Sequence, residues 1–238
     1  MTGTFINVTL ILVGVLYYRL RKQEISAENQ QAWRAVITFF VLFAGARLLW
    51  NGLSGGFIHG FGQLVIVFVS LSLGNVIGTL LGIQSVFNRI AVFAKAKMES
   101  PSENTPHQQT GFLVTTGLFC VTPLAILGPI IEGTSGDATP LIIKSMMDGI
   151  AIISFCKIFG YQVALTAVPV LAFQGTLTLL SKATSQTLLT EAMREALTAT
   201  SGCLVFTVIL LVFGLQQVRL GNYLPSLIVA PLLARWWW

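Results

Sequence analysis

The chain has 238 residues, of which 54% are hydrophobic and only 10% charged, and its mean hydropathy is +0.79. A soluble globular domain usually has about 25% charged residues, so this composition excludes an ordinary soluble protein and predicts an integral membrane protein. The net charge is +5, but the basic residues flank apolar segments, which is typical of membrane topology and argues against nucleic-acid binding.

Unbroken apolar runs predict transmembrane helices here, because they lack the alternation of polar and apolar residues found in barrel strands. In chain order, we expect seven spans and a weaker eighth, at residues 3–18, 33–53, 61–83, 111–131, 139–159, 162–181, 201–217 and 223–238. The eighth contains two prolines and is shorter than the roughly 20 residues of a full crossing. The predicted fold is an all-α integral membrane protein, a polytopic bundle of seven or eight transmembrane helices, some short or broken.

One substantial polar insert, AKAKMESPSENTPHQQT at residues 94–110, separates the third span from the fourth. Its content of Pro, Ser, Asn and Gln predicts a disordered cytoplasmic linker. It divides an N-terminal three-helix membrane segment, residues 1–93, from a C-terminal membrane segment, residues 111–238, within one membrane domain. If the N-terminus lies outside, the inside loops hold most of the lysine and arginine, so we expect that orientation.

A second polar segment, residues 188–199, places Leu189, Met193 and Leu197 on one helical face. This pattern predicts a short amphipathic helix that lies along the membrane surface.

The third span contains three glycines at intervals of four residues, Gly74, Gly78 and Gly82. Such a ridge lets another backbone approach closely, so it predicts a helix-packing face. The partner could be a helix of the same chain or, in a homo-oligomer, of a second copy.

The fifth span carries two charged residues near its middle, Lys144 and Asp148. Each costs about 2.5–3.5 kcal/mol at the centre of a membrane helix, so both side chains should face the interior of the protein. Four residues apart, they lie on one helix face, close enough for an ion pair. Two interpretations stay open: a permanent salt bridge that holds helices together, or part of a solute pathway.

Two carboxylates, Glu132 and Asp137, lie in the segment LAILGPIIEGTSGDATP, which we expect to be broken at Gly128 and Pro129. They could form a cation-attracting mouth or a broken-helix site, or they could be an ordinary acidic turn.

Three amide side chains in the predicted spans also need partners: Gln174 in the kinked sixth span, Asn7 in the first and Asn222 at the start of the last. A polar pathway lining and interhelical hydrogen bonding explain them equally well.

No nucleotide-binding loop, Ser/His/Asp arrangement or metal-ligand cluster occurs in the sequence. We therefore expect neither an enzyme nor a bound cofactor or metal. The three cysteines lie inside apolar runs and behave as small buried hydrophobic residues.

Five stretches carry a resemblance to a known family: GTFIN, LFCVTPLAILGPIIEGTSGD, KSMMDGIAIISF, AVPVLAFQGTLTLL and VRLGNYLPSLIVAPLL. Together they resemble the YqgA/YdfK-like family of bacterial membrane proteins, a domain of unknown function numbered 554. The resemblance covers nearly the whole chain except residues 94–110. The matching motif positions are Lys144, Asp148, Gly149, Gln174, Gly175, Gly221, Asn222 and Pro225.

This resemblance implies a multi-pass protein of the bacterial cytoplasmic (inner) membrane with a transport role, and it brings no established substrate or catalytic residue. The chain departs from the family pattern at Ile131-Glu132, where a Gln-Asp pair is usual, and at Gly78-Thr79, where Gly-Glu is usual. If those groups bind a solute in relatives, selectivity here differs.

We therefore expect a transporter or channel for a small polar or ionic solute, with pathway candidates Lys144, Asp148, Gln174, Glu132, Asp137, Asn7 and Asn222. The alternative is a membrane scaffold or sensor that transports nothing, in which the intramembrane charges only hold helices together. Its partners would be the lipid bilayer and neighbouring helices.

Overall fold

The structure is a computed structural model that describes residues 1–23, 26–53, 56–99, 107–212 and 218–237. Within these ranges the regular secondary structure is helical, which confirms the predicted all-α class. The helices are α1 (Thr2–Arg21), α2 (Ala27–Gly52), α3 (Phe57–Leu80), α4 (Ile83–Glu99), α5 (His107–Cys120), α6 (Pro123–Ser135), α7 (Thr139–Phe159), α8 (Ala167–Leu188), α9 (Glu191–Val212), α10 (Leu220–Tyr223) and α11 (Ser226–Trp237). A 3₁₀ helix, Tyr161–Thr166, leads directly into α8.

The outer surface of the bundle is apolar, whereas its interior contains polar side chains. Phe39, Phe43 and Phe68 are 68%, 59% and 74% exposed, while Asn7 and Gln174 are fully buried. A soluble protein buries its large apolar residues, so this reversed distribution indicates a protein surrounded by lipid.

Four segments are long and apolar enough to cross a membrane: α1, α2, α3 and the 3₁₀ helix continued by α8. α5 and α6 would form a fifth crossing, bent by 52° at the break between them. α7 has 21 residues but includes Lys144, Asp148 and Lys157. By length and composition, the described residues therefore contain four or five spans.

The break in this bent span lies at residues 121–122, not at Gly128 and Pro129 as predicted. Pro123 occupies the start of α6, where its missing N–H costs nothing, and it disfavours helical backbone in the residue before it. Pro129 instead lies inside α6, which continues through it.

The N-terminal helices pack against C-terminal ones. α1 lies along α7, α2 along α9, and α3 along α11. α1 can approach α7 closely because Gly14 faces Gly149, whose carbonyl oxygen would lie 2.5 Å from a methyl group at Gly14. Ile11 and Ile152 are fully buried in the same apolar cluster. The first helix is therefore built into the centre of the C-terminal segment.

Two of the three ridge glycines pack as predicted. A methyl group on Gly74 would lie 2.6 Å from the backbone nitrogen of Ser226, and one on Gly78 would overlap the carbonyl of Asn222. The ridge is thus filled by α10 and α11 of the same chain, and a second copy cannot pack there at the same time. Gly82 lies outside the ridge, in the turn after α3, where it adopts a left-handed φ of 65°.

The predicted linker is helical at both ends. Residues 94–99 belong to α4 and residues 107–110 to α5, while residues 100–106 lie outside the described part of the chain. α4 is not among the predicted helices.

The predicted surface helix at residues 188–199 is wrong, because Glu191–Val212 forms one continuous helix. Met193 and Leu197 are only 5% and 4% exposed. Met193 packs with Ile66 of α3 and Ala230 of α11. The apolar face of this helix therefore contacts other helices and not the membrane surface.

The last predicted span, residues 223–238, is divided between α10 and α11. α11 has 12 residues and is therefore about 18 Å long, which is less than the roughly 30 Å hydrocarbon core. It cannot cross the bilayer alone. Its Ala230 and Ala234 are fully buried against neighbouring helices.

Candidate functional site

Lys144 and Asp148 form a buried ion pair on α7, here called the central pair. Their exposed fractions are 3% and 6%, so the prediction that both face the protein interior is confirmed. The ammonium of Lys144 donates a hydrogen bond to Oδ2 of Asp148 across one helical turn.

Lys144 has a second partner at the end of α5. Its Nζ donates to the carbonyl oxygen of Phe119 at 2.8 Å and lies 5.1 Å from the centre of the Phe119 ring. In a continuous helix, this carbonyl would accept from the N–H four residues later, but that residue is Pro123, which has no N–H. The helix break therefore supplies an acceptor for the buried ammonium.

Asn7 of α1 connects the central pair to α8. Its Nδ2 donates to Asp148 Oδ2 at 3.1 Å and to Gln174 Oε1 at 3.0 Å. The close contact of α1 with α7 at Gly14 brings Asn7 within reach. We call Asn7, Lys144, Asp148 and Gln174 the polar centre. The structure thus brings together four of the seven predicted pathway residues.

Several buried polar atoms at or near this centre have no hydrogen-bond partner among the described residues. They include Oδ1 of Asn7 and Nε2 of Gln174. Thr4 and Thr178, which lie one helical turn away on α1 and α8, also have unpartnered hydroxyls. Buried polar atoms are nearly always hydrogen-bonded, so these exceptions are unusual and each has a hydrogen bond left to make.

Glu132 lies at the end of α6 and binds the start of α1. Its Oε1 is 2.9 Å from the backbone nitrogen of Met1 and 3.0 Å from that of Gly3. Free N–H groups at a helix start attract a carboxylate in this way. The other oxygen of Glu132 is buried without a hydrogen-bond partner. Glu132 therefore lies at the N-terminal end of α1, and Thr4 and Asn7 follow along the same helix.

Asp137 lies in the turn between α6 and α7 and faces other neighbours. Its Oδ1 accepts from the N–H and the hydroxyl of Thr139 at 2.9 and 2.6 Å, which fixes the start of α7. Its Oδ2 is 3.9 Å from Nε of Arg47 on α2. Although the sequence places Glu132 and Asp137 close together, they contact different helices, Glu132 the start of α1 and Asp137 the Arg47 side chain of α2.

Asp137 belongs to a cavity of about 370 Å³ at the end of the bundle, between α2, the α6–α7 turn and the start of α9. We call it the charged cavity. The charged side chains that line it are Arg47, Asp137, Glu191, Arg194 and Glu195.

Asn222 belongs to neither group. Its Nδ2 donates to Thr79 Oγ1 at 3.0 Å, and its Oδ1 accepts from the N–H of Gln84 at 3.1 Å. It fastens α10 to the turn between α3 and α4, so its position supports the packing interpretation.

Sequence reasoning missed three contributors. Phe119 supplies a carbonyl to Lys144, and its position four residues before Pro123 is the signal that could have identified it. Arg47 and Arg194 reach the charged cavity from helices far apart in the chain. No local pattern connects them.

Comparison with known proteins identifies the family. Residues 2–235 match the family described as "Protein of unknown function (DUF554)". The chain is 26% identical over 234 residues to the "Uncharacterized membrane protein YdfK" of Bacillus subtilis (strain 168), covering 98% of this chain and 95% of that protein.

It is also 26% identical over 237 residues to the "Uncharacterized protein YqgA" of Escherichia coli (strain K12), covering 98% of this chain and 97% of that protein. No solved structure matches the chain significantly. The family match extends over nearly the entire chain, and we conclude that the chain belongs to the DUF554 family.

Proposed function

We propose that this protein transports a small polar or ionic solute across the membrane, through a pathway that passes the polar centre. The observation that carries the proposal is the set of unpartnered polar atoms beside the central pair: Asn7 Oδ1, Gln174 Nε2 and the hydroxyls of Thr4 and Thr178. Unsatisfied polar groups are costly inside a membrane protein, so polar and ionisable groups kept there mark substrate pathways.

In this proposal the described conformation is closed. Lys144 neutralises Asp148, and both side chains are buried. A charged group of the solute would take the place of one member of the pair, and Asn7 would follow because it bonds to both Asp148 and Gln174. Replacing one ion pair by another avoids leaving a bare charge in the bilayer, which would cost several kcal/mol.

We propose that the chain crosses the membrane seven times. The packing of α7 along α1 and of α9 along α2, both candidate spans, supports two further crossings by α7 and α9. With α3, α8 and the bent pair α5–α6, this gives seven crossings, and α11 enters the bilayer without completing an eighth. The relatives come from bacteria, so the membrane would be the bacterial inner membrane. The excess of basic residues in one set of loops favours an outside N-terminus.

A second candidate function is supported by a specific observation. The central pair is bonded within the protein, and the charged cavity does not include either member. A scaffold or sensor would use such a pair only to hold α1, α5 and α7 together, and its function would not require passage of a solute.

Flux measurements in proteoliposomes distinguish the two. The panel would contain rubidium, chloride, phosphate, sugars and amino acids, each as a radiolabelled tracer. Asp148→Asn keeps the shape of the side chain and an acceptor for Lys144 but removes the charge. We expect it to reduce the flux of the transported solute at least tenfold, with Glu28→Gln on the exposed start of α2 as the matched control.

A second variant separates transport from folding. Lys144→Met combined with Asp148→Leu replaces the pair by apolar side chains, which often preserves stability. A transporter would then remain monodisperse in gel filtration and lose its flux. If the wild-type protein carries none of these solutes, or if both variants transport like the wild type, the pathway proposal is wrong.

A further inference from the structure

The charged cavity has features of a ligand site that the polar centre does not explain. It is about 370 Å³ in volume, within the range of small-molecule sites, and charged side chains of both signs line it. Arg47 and Arg194 are cationic, and Asp137, Glu191 and Glu195 are anionic. They come from α2, the α6–α7 turn and α9, so the fold brings them together from three separate parts of the chain.

Two buried atoms in residues that line this cavity have no hydrogen-bond partner among the described residues. One is an acceptor, Oδ2 of Asp137, and the other is a donor, Nε of Arg194. The side chain of Asp137 is only 9% exposed. Burying charged groups with unmade hydrogen bonds is costly, so both atoms favour a ligand that supplies the missing partners.

The remaining bonds of these two side chains hold them in place. Oδ1 of Asp137 is fixed by Thr139, and the Nη2 of Arg194 donates to the carbonyl oxygen of Ser185 at 2.8 Å. Asp137 and Arg194 are therefore positioned before a ligand binds. Arg47 is different, because it is 53% exposed and its Nε lies 3.9 Å from Asp137, so it can turn toward a ligand at little cost.

We propose that the charged cavity binds a small zwitterion, an α-amino acid or a compound with the same two charged groups. Its ammonium would donate to Oδ2 of Asp137, and its carboxylate would accept from Nε of Arg194 and from Arg47. A simple cation would leave Nε of Arg194 without a hydrogen bond, and a simple anion would leave Oδ2 of Asp137 without one. A zwitterion satisfies both atoms and adds no net charge to the site.

This inference deepens the proposed function, because it names the solute class and a first binding site for it. The cavity is lined by the α6–α7 turn, and Glu132, in the last turn of α6, binds the start of α1, the helix that carries Asn7. The inference rests on the transport proposal for the later fate of the ligand. Binding in the cavity can be tested without transport.

The test is equilibrium binding to the purified full-length protein in lipid nanodiscs, measured by isothermal titration calorimetry. The twenty common amino acids are tested first, and the tightest binder is then compared with its carboxamide, which keeps only the ammonium, and its deamino acid, which keeps only the carboxylate. We expect the amino acid to bind at least tenfold tighter than either analogue, because each analogue leaves one buried atom unpartnered.

Two variants place the site in the cavity. Asp137→Asn keeps the oxygen that fixes Thr139 and removes the charge, and Arg47→Gln removes the half-exposed guanidinium. We expect about tenfold weaker binding for each variant. Lys182→Gln, on the exposed surface of α8, is the matched control and should bind like the wild type.

Binding of no amino acid, equal binding of the amino acid and its analogues, or unchanged affinity in both cavity variants would overturn the inference. These failures are distinct from failure of the transport proposal. Binding without flux would support a zwitterion sensor, whereas flux of another solute together with no amino-acid binding would leave transport standing and refute this site.

Discussion

The central pair and the charged cavity both combine a basic and an acidic side chain, yet they differ in how those charges are held. Lys144 and Asp148 come from one helix, are almost completely buried, and have further partners in Phe119 and Asn7. Arg47 and Asp137 come from separate elements, their nearest charged atoms are 3.9 Å apart, and the Arg47 side chain is 53% exposed.

This difference separates two uses of charge in a membrane protein. When one member of a buried, hydrogen-bonded pair is removed, the other charge is left without a counter-charge in a medium of low dielectric constant. Single substitutions in such a pair therefore destabilise the folded protein strongly. A long ion pair with one exposed side chain, such as Arg47 with Asp137, contributes little to stability, and its charges remain available to a ligand. Stability measurements should therefore respond strongly at the central pair and weakly at the cavity, while ligand binding should respond in the opposite order.

The largest effect is expected for Lys144→Met. The variant leaves Asp148 buried without its cation, and breaking a buried pair in this way typically costs about 3–5 kcal/mol. Unfolding in mixed micelles with increasing sodium dodecyl sulfate measures the loss. Adding Asp148→Leu to the same chain should restore part of it, and a loss below about 1 kcal/mol in the single variant would mean that the pair is not closed as described.

The next effect tests how α1 reaches the pair. Gly14→Ala adds a methyl group 2.5 Å from the carbonyl oxygen of Gly149, so α1 must move away from α7. We expect a loss of about 1–3 kcal/mol in the free energy of unfolding, since overpacking of a close contact costs this much.

The control for this variant is Gly56→Ala. Gly56 has an ordinary negative φ and open space where the methyl group would be added, so its replacement causes no clash; it is the N-cap of α3, where alanine is less favourable than glycine, and we expect a loss of at most about 1 kcal/mol. Amino-acid affinity in the charged cavity should not change in either glycine variant. An effect of equal size at both glycines would remove the argument that close approach of α1 supports the polar centre.

Asn7→Ala should destabilise less than loss of the lysine. It removes the donor to Asp148 and Gln174, and an unmade buried hydrogen bond costs about 1–3 kcal/mol. Because Lys144 still neutralises Asp148, we expect a value in the lower half of that range. Thr9→Ala on the exposed face of the same helix is the control, and the same unfolding assay should find it within about 0.5 kcal/mol of the wild type.

The contrast between the two regions also explains what the sequence could predict. Burial of Lys144 and Asp148 follows from the cost of placing charge in hydrocarbon, so the sequence of one helix is enough to predict it. Packing at Gly74 and Gly78 likewise follows from a local pattern with a known physical purpose. Membrane class and helical fold follow from composition in the same way.

The partners of these residues depend on three-dimensional packing. The sequence places Glu132 and Asp137 in one acidic segment, but Glu132 lies in the last turn of α6 and contacts α1, whereas Asp137 lies in the following turn and contacts α2. The apolar face of residues 188–199 suits a membrane surface and a helix neighbour equally well, and only the packing of α9 against α3 and α11 decides between them. Arg47 and Arg194 line the same cavity only because α2 lies along α9.

The smallest effect on stability is expected for Arg47→Gln, and it gives the sharpest test of the comparison. Its pair with Asp137 is long and the Arg47 side chain is half-exposed, so the variant should lose less than about 1 kcal/mol in the unfolding assay. The same variant should weaken amino-acid binding about tenfold, because the guanidinium is one of the groups available to the ligand carboxylate. A large loss of stability with unchanged binding would contradict the proposed role of Arg47 in ligand binding and would mean that the cavity charges stabilise the fold.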